Sequence, residues 1–184
     1  EIPPEVPLLR RWGGVREGTV RRLRGASCRN FSYLVPLIAL IMELNDKKFA
    51  VLVDADNISH RKIKDILDEI ANYGTPTIKR IYGDFTNPKF AAWKEVLLEN
   101  SITPIQQYAY TTGKNATDSA LIIDAMDILY SGNVDGFCIV TSDSDFTKLV
   151  LRLRESGMTV IGMGERKTPN AFVSACETFK FLDI

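Results

Sequence analysis

The sequence predicts an α/β fold, a three-layer α/β/α sandwich around a mainly parallel central sheet. After Met42, short apolar runs rich in β-branched residues alternate with amphipathic helical patterns, which is typical of strands joined by crossover helices. The composition agrees, because 45% of the 184 residues are hydrophobic and 25% are charged, as in globular domains that bury their own core. These values exclude disordered, collagen-like and coiled-coil chains.

Six segments have the length and apolar character of buried strands. They lie at residues 49–54, 77–82, 103–108, 136–141, 159–163 and 179–182. Five segments between them have helical periodicity, at residues 61–73, 88–100, 117–130, 146–156 and 169–176. Gly74, Gly132 and Gly157 stand where helices are expected to end. In a parallel sheet of this kind, ligands bind beyond the carboxyl ends of the strands.

The first 41 residues differ from the rest of the chain. They hold seven arginines and three acids, a net charge of +4, whereas the chain from Met42 onward has 16 basic and 20 acidic residues, a net charge of −4. We predict that residues 1–41 are an N-terminal extension outside the fold and that residues 42–184 form the domain. The mild acidity of the domain argues against loose, purely electrostatic binding of phosphate backbones. The apolar run at residues 31–42 is too short to span a bilayer, so no membrane partner is expected.

Few residues could hold a soft metal ion. The three cysteines, Cys28, Cys138 and Cys176, lie far apart without a C-x-x-C spacing. This spacing indicates neither a zinc knuckle nor a disulfide framework and predicts a reduced, cytoplasmic setting. His60 is the single histidine and is expected at the surface. Any metal ion is therefore expected to have oxygen ligands.

Acidic side chains gather where strands end. Asp54 and Asp56 come at the end of the first predicted strand, Asp143 and Asp145 follow the fourth, and Asp118 begins the third helix. All five are expected at one edge of the sheet. Two carboxylates about 4 Å apart repel by roughly 4 kcal/mol at an effective dielectric near 20, so such a cluster requires raised pKa values or bound cations. Oxygen ligands on an open rim favour Mg²⁺ or Mn²⁺, which predicts hydrolysis of a phosphate ester without a histidine.

Each acid also has a purely structural interpretation. Asp118 suits the first turn of a helix, where the dipole favours an acid. Asp56 and Asn57 are common turn residues, and Asp143 and Asp145 suit a helix N-cap. Their coincidence at one rim favours a shared site over separate structural roles.

Roles can also be predicted for several other polar and aromatic residues. Asp124 and Asp127, farther along the third helix, are interpreted as solvated or as supporting the site. Trp93 belongs to an amphipathic helix and is expected in the core. The tyrosines near strand ends are expected to pack, with stacking on bases as the alternative. They are Tyr82, Tyr108 and Tyr110.

Five segments of the chain together resemble the NYN domain family, in the LabA-like branch of the PIN-like nucleases. They are VDADN, RIYGDF, PIQQYAYTTGKNATDSALIIDAMDILYSG, GFCIVTSDSDF and GERKTPNAF. The resemblance covers about residues 47–184. It implies a PIN-like α/β/α fold and metal-dependent cleavage of RNA.

The resemblance also implies roles for individual residues. It places first-strand metal-site roles on Asp54 and Asn57, a third-helix acid at Asp118 and fourth-strand acids at Asp143 and Asp145; no expected acid is missing. We predict that the four aspartates are metal ligands for Mg²⁺ or Mn²⁺. Asn57 is expected to orient a ligand or a substrate phosphate.

RNA is the expected partner, and a homodimer is a further alternative. Lys114 lies in the loop before the third helix and is a candidate phosphate contact. The complete set of predicted nucleic-acid contacts is Lys114, Asn57, Ser142 and Ser144. Many relatives carry a C-terminal OST-HTH (LOTUS) module thought to bind RNA, and we expect this chain, which stops at Ile184, to lack it.

Two other functions stay open beside a metal-dependent endoribonuclease. The Asp54-x-Asp56 spacing also resembles the nucleophile and acid pair of haloacid-dehalogenase-like phosphatases, although Ile58 stands where those enzymes usually have Thr or Val. The third interpretation is an RNA-binding or regulatory scaffold whose acids only hold an ion.

Overall fold

The computed structural model describes residues 47–108 and 116–183, which form strands and helices in alternation. In chain order the elements are β1 (Lys48–Asp54), α1 (Ile63–Ile70), β2 (Thr75–Gly83), α2 (Trp93–Glu99), β3 (Thr103–Gln106), α3 (Ala116–Ser131), β4 (Gly136–Val140), α4 (Thr147–Glu155), β5 (Thr159–Gly164), α5 (Asn170–Ala175) and β6 (Thr178–Phe181). Short 3-10 turns precede α1, α2 and α4, at His60–Lys62, Pro88–Phe90 and Ser144–Phe146.

The strands form one sheet in which all neighbours are parallel, in the order β3-β2-β1-β4-β5-β6. β2 and β3 extend the sheet on one side of β1. The chain then returns to β4 on the other side of β1, and β5 and β6 extend the sheet from there. A crevice therefore opens between β1 and β4 at their carboxyl ends, which is where open α/β sheets bind ligands. Val53 of β1 pairs with both Ile81 and Val140, so the residues that follow these three lie side by side at the mouth of the crevice.

Helices cover both faces of the sheet. Val51 and Val53 of β1 pack in the layer with α1 and α2, whereas Ala50 and Leu52 pack in the layer with α3, α4 and α5. Because both faces are covered, β1 is buried at every position after Lys48 instead of alternating between apolar and polar residues. The predicted three-layer α/β/α architecture is confirmed.

Each helix presents one apolar stripe to the sheet. In α1 the stripe is Ile63, Ile66 and Ile70, at the spacing of successive helical turns. In α2 it is Trp93 and Leu97, which confirms the core position predicted for Trp93.

Two of the three glycines singled out end helices as predicted. Gly132 has φ 66° and Gly157 has φ 82°, a region that favours glycine at a helix terminus. Gly74 is needed for a different reason, since a Cβ atom there would lie 2.3 Å from the carbonyl oxygen of Lys47. At that position the approach of two backbone segments, and not the dihedral angle, requires glycine.

Several predicted elements have different ends in the structure. β3 stops at Gln106 instead of residue 108, because its neighbour β2 ends at Gly83, which pairs with Gln106. The helices expected from residues 61 and 88 each begin with a 3-10 turn, so their α-helical parts are shorter. Predictions for residues 1–41, Tyr110 and Lys114 fall outside the described residues.

Candidate functional site

Three of the predicted carboxylates meet at the crevice between β1 and β4. Asp118 lies in the first turn of α3, and Asp143 and Asp145 lie in the segment that follows β4. One carboxylate oxygen from each lies within 4.8 Å of the other two. Asp118 and Asp143 are half-buried and Asp145 is exposed, so the group is open to solvent on one side. Oxygen ligands in this arrangement suit a hard divalent cation.

The backbone after β4 also uses one of these acids as a cap. Oδ1 of Asp143 accepts a hydrogen bond from the backbone N–H of Asp145 at 2.9 Å and thereby begins the 3-10 turn Ser144–Phe146. The structural interpretation of Asp143 as an N-cap is thus confirmed, and it is compatible with the site. The same side chain thus caps the turn and contributes an oxygen to the group of three acids.

Asp54 lies behind the group of three and is 1% exposed. Its carboxylate accepts hydrogen bonds from Asn57 Nδ2 at 2.6 Å, from Thr141 Oγ1 at 3.0 Å and from the backbone N–H of Asp56 at 3.0 Å. Burial raises the pKa of Asp54, while the bonds from Asn57 and Thr141 oppose that rise. Asp54 is not one of the three grouped acids among the described residues, and its role as a metal ligand stays a prediction.

The four aspartates nevertheless share one electrostatic environment. The pKa of Asp118 is raised to about 6, first because burial disfavours its charged form and then because of the negative charges of Asp54, Asp143 and Asp145. The effect of the neighbouring charges is the repulsion expected of carboxylates gathered without a counter-charge. A bound cation would instead stabilise the charged form of Asp118 and lower its pKa.

Thr141 joins the two acidic segments and was not singled out from the sequence. It is fully buried at the end of β4, where its hydroxyl donates to Asp54 and accepts from the backbone N–H of Asp143 at 3.1 Å. A Cβ atom on Gly164 of β5 would lie 2.4 Å from the carbonyl oxygen of Thr141, so only glycine allows these strands to approach here. The signal in the sequence was a β-branched hydroxyl residue at the last position of a buried strand.

The remaining predicted site residues have structural contacts of their own. Asn57 is half-buried and bonds to Asp54. Ser142 is 7% exposed, and its hydroxyl accepts a hydrogen bond from the backbone N–H of Glu165 at 3.0 Å. Ser144 is half-buried and lies in the capped 3-10 turn. Contacts of these residues with nucleic acid stay predictions.

Asp124 has partners that the sequence did not reveal. It accepts hydrogen bonds from the guanidinium of Arg80 and the hydroxyl of Tyr82, both on β2. The interpretation of Asp124 as solvated is therefore wrong, and the acid instead ties α3 to the sheet. Tyr82 is fully buried, which confirms packing for this tyrosine, whereas Tyr108 is 54% exposed. The available signal was the position of Asp124 three residues after Leu121, at the border of the buried stripe of α3.

Among the described residues, neither the cysteines nor the histidine belongs to the group of three acids. Cys138 and Cys176 are free and buried, and burial raises the pKa of the Cys176 thiol to about 11. His60 packs edge-on against Trp93, with ring centroids 6.1 Å apart. Over residues 47–108 and 116–183, no helix is long and apolar enough to cross a membrane.

Comparison with known proteins gives relatives whose activities are not described. An uncharacterized protein of Methanocaldococcus jannaschii is 26% identical over 123 residues, which cover 65% of this chain and 48% of the relative. The chain thus spans about half the length of that curated relative. A crystal structure of a protein of unknown function from Vibrio parahaemolyticus superimposes with a TM-score of 0.61 at 19% identity, covering 73% of this chain and 92% of the other. This likeness shows a shared fold.

The family is shown by a match to the NYN domain over residues 48–183, nearly the whole of the described chain. An NYN domain implies the PIN fold of nucleases, and NYN domains are generally hydrolases of that kind. The sheet order, the crevice between β1 and β4 and the carboxylates at its mouth agree with this assignment. The chain belongs to the NYN domain family.

Proposed function

We propose that this protein is a metal-dependent endoribonuclease that hydrolyses RNA phosphodiester bonds at the crevice between β1 and β4. The observation that carries the proposal is the group formed by Asp118, Asp143 and Asp145, whose oxygens lie within 4.8 Å of one another in an NYN domain. The donor set fits Mg²⁺ or Mn²⁺, because all three side chains are carboxylates and one side of the group is open for water and a phosphate.

Each residue of the site has a distinct task in this proposal. Asp118, Asp143 and Asp145 hold the cation, and Asp54 adds negative charge from behind them. Thr141 keeps Asp54 and the backbone of Asp143 in fixed relation. The chemistry supplied by a bound divalent cation is activation of water and neutralisation of charge on the phosphate. No histidine is required.

The experiment compares the parent protein with Asp143→Asn and with the matched control Asp127→Asn, an exposed aspartate on α3. Labelled linear and circular single-stranded RNAs are incubated in EDTA, Mg²⁺ or Mn²⁺. We expect the parent and the control to open the circle in a metal-dependent way, and Asp143→Asn to be slower by at least about 100-fold. Identical preparation of all three proteins controls for contaminating nuclease.

Three outcomes decide the proposal. Cleavage of the linear RNA alone overturns the endonuclease and favours an exonuclease. Equal metal-dependent cleavage by Asp143→Asn removes that residue from the site. RNA binding without cleavage by any of the proteins favours the regulatory scaffold.

A phosphatase of the haloacid-dehalogenase type is disfavoured by the position of Asp54. That chemistry requires an accessible carboxylate that attacks phosphorus. Asp54 is 1% exposed and accepts three hydrogen bonds from protein groups, so its carboxylate is poorly accessible to an incoming phosphate ester.

A further inference from the structure

The turn that follows β5, at residues 165–168, lies against the segment that carries two of the candidate metal ligands. The backbone N–H of Glu165 donates to the hydroxyl of Ser142 at 3.0 Å, and Ser142 directly precedes Asp143. The helix that continues from the turn, α5, contacts the 3-10 turn Ser144–Phe146. The turn after β5 is therefore next to the group of three acids.

Arg166 belongs to this turn, and its backbone is held in place by hydrogen bonds. The backbone N–H of Arg166 donates to Oδ1 of Asp183 at 3.0 Å. The backbone N–H of Thr168 donates to the carbonyl oxygen of Glu165, also at 3.0 Å. Thr168 is buried, whereas Arg166 is exposed. The Arg166 side chain thus extends from an anchored backbone, one residue away from the hydrogen bond to Ser142.

Lys148 lies in the first turn of α4, on the segment that carries Asp143 and Asp145. It follows Asp145 by three residues, across the junction between the 3-10 turn and α4. Residues three apart in a helix are neighbours, with Cβ atoms about 5–6 Å apart. Lys148 is exposed. Lys148 and Arg166 thus supply two flanking cations, one from each segment that borders the acids.

The charges of the two flanking cations are not neutralised by neighbouring acids. Over residues 47–108 and 116–183, neither side chain forms an ion pair or a hydrogen bond. Two other lysines near the ends of strands differ, since Lys89 pairs with Asp56 at 2.6 Å and Lys167 pairs with Glu165 at 2.8 Å. Within this part of the chain, the flanking cations are therefore available to an external anion.

The position of these cations matches what an RNA strand requires at an acidic site. From Met42 onward the chain has 16 basic and 20 acidic residues, so its overall charge does not attract phosphates. The candidate metal site serves the phosphate that is cut, whereas the phosphates next to it still require counter-charges. A lysine and an arginine beside the acids supply them, the ammonium as a point charge and the guanidinium as a planar fork.

We propose that Lys148 and Arg166 bind the RNA phosphates next to the one that is cut. The bound strand then crosses the rim over the start of α4 and the turn after β5. The inference rests on the proposed function and specifies the side of the crevice on which the substrate lies. Phosphate contacts position a strand without reading its sequence, so these two contacts should add little preference among bases.

The test replaces each flanking cation by an uncharged side chain. Lys148→Gln and Arg166→Gln remove the charge, whereas Lys148→Arg and Arg166→Lys keep it. The matched control is Arg152→Gln, at an exposed position in the last turn of α4. All variants are made in the full chain with Asp143→Asn, which removes one of the charges that repel RNA. Melting temperatures show that each variant is folded.

The probe is a fluorescein-labelled single-stranded RNA in EDTA, so that no divalent cation competes for its phosphates. Its Kd is measured by fluorescence anisotropy over a range of NaCl concentrations. A phosphate contact on a single strand contributes about 0.7 to the slope of log Kd against log [NaCl]. We expect each Gln variant to lose about 0.7 from this slope, and to bind about 5- to 10-fold more weakly at about 50 mM NaCl.

The controls separate the charge from other effects of substitution. Arg152→Gln, Lys148→Arg and Arg166→Lys should keep the slope of the Asp143→Asn protein, because each preserves both flanking cations. A slope that stays unchanged in either Lys148→Gln or Arg166→Gln overturns the inference. A slope that falls by the same amount in Arg152→Gln also overturns it, since any surface cation would then have the same effect.

The failure of this inference can be told apart from failure of the proposed function. If the parent protein cuts RNA with metal dependence while the Gln variants keep the slope, only the phosphate contacts are wrong. If the parent protein neither cuts nor binds RNA, the proposed function fails and the phosphate contacts fail with it.

Discussion

At the scale of single residues, Asp118 shows how burial and neighbouring acids together shift the ionisation of a carboxyl group at the site. Its pKa is raised to about 6 from a usual value of 3.8, by burial and then by the neighbouring aspartates. The folded protein therefore binds this proton more tightly than the unfolded chain does. It follows that the free energy of unfolding falls as the pH rises from about 4 to about 6, and stays reduced above that range.

The first prediction concerns Asp118→Asn, which removes the charge. In EDTA at pH 7.5 we expect the free energy of unfolding to rise by about 1 kcal/mol, a modest value because solvent screens a partly exposed group. At pH 4 the gain should largely disappear, since the folded protein already holds the proton. Urea unfolding at both pH values measures the difference, with Asp127→Asn as control. An equal gain at both pH values would show that the ionisation of the Asp118 carboxyl is not the cause of the increased stability.

A second prediction at this scale concerns Thr141, whose hydroxyl bonds to both Asp54 and the backbone of Asp143. Thr141→Val keeps the shape and removes both hydrogen bonds, so we expect a loss of about 1–3 kcal/mol in the free energy of unfolding. Mn²⁺ affinity should fall by about 10- to 100-fold, because the acids lose their fixed arrangement. Thr141→Ser retains the hydroxyl and should restore Mn²⁺ binding in a calorimetric titration. Equal Mn²⁺ affinities for Thr141→Val and the parent would show that the hydroxyl does not organise the site.

At the scale of secondary structure elements, α3 connects the site to the sheet. Its first turn carries Asp118, and its buried stripe packs over β1 and β2. Six residues after Asp118, Asp124 bonds to Arg80 and Tyr82 of β2, and the bond to Asp124 raises the pKa of the Arg80 guanidinium. This contact fixes the distance between α3 and the sheet and the rotation of the helix about its axis. Both determine where Asp118 lies at the crevice.

The third prediction removes this contact. Asp124→Asn leaves the Arg80 guanidinium without its charged partner, and we expect a loss of about 1–3 kcal/mol in the free energy of unfolding. Asp127→Asn, one turn further along α3 and exposed, should change stability by less than about 0.5 kcal/mol. Denaturant unfolding compares the two. A loss of the same size in both variants would mean that removing a negative charge from α3, and not losing the contact with β2, lowers the free energy of unfolding.

At the scale of the whole molecule, strand order decides where the site forms. β1 and β4 are far apart in sequence but adjacent in the sheet, and the chain leaves them toward opposite edges. Their carboxyl ends are the positions where connecting segments separate and leave a crevice. The core that supports the crevice begins at Phe49 and involves both faces of β1.

The fourth prediction concerns the boundary at residue 42. If residues 1–41 are an extension outside the fold, the chain 42–184 should melt within about 3 °C of the full chain, because no buried apolar surface is lost. Scanning calorimetry of both proteins measures this. A fall of many degrees would assign residues 1–41 to the folded domain.

Much of the fold was predictable because its pattern is local. Apolar β-branched runs such as that of β1 identify buried strands, and the stripe of Ile63, Ile66 and Ile70 identifies a helix with one buried face. Element ends were less predictable. β3 stops where its neighbour β2 stops, and the residues of β3 alone do not indicate how long its partner strand is.

The sequence by itself determined that this is a parallel α/β domain of the NYN type and that its acids follow strands. Periodicity, the residues at strand ends and family motifs are all properties of neighbouring positions in the chain, so they can be identified without the tertiary structure. Only the tertiary structure decided which acids meet. It brings Asp118, Asp143 and Asp145 together, and it buries Asp54 behind them. It likewise turns Asp124 toward Arg80. These contacts depend on sheet order, register and helix rotation, which are set by packing over the whole domain.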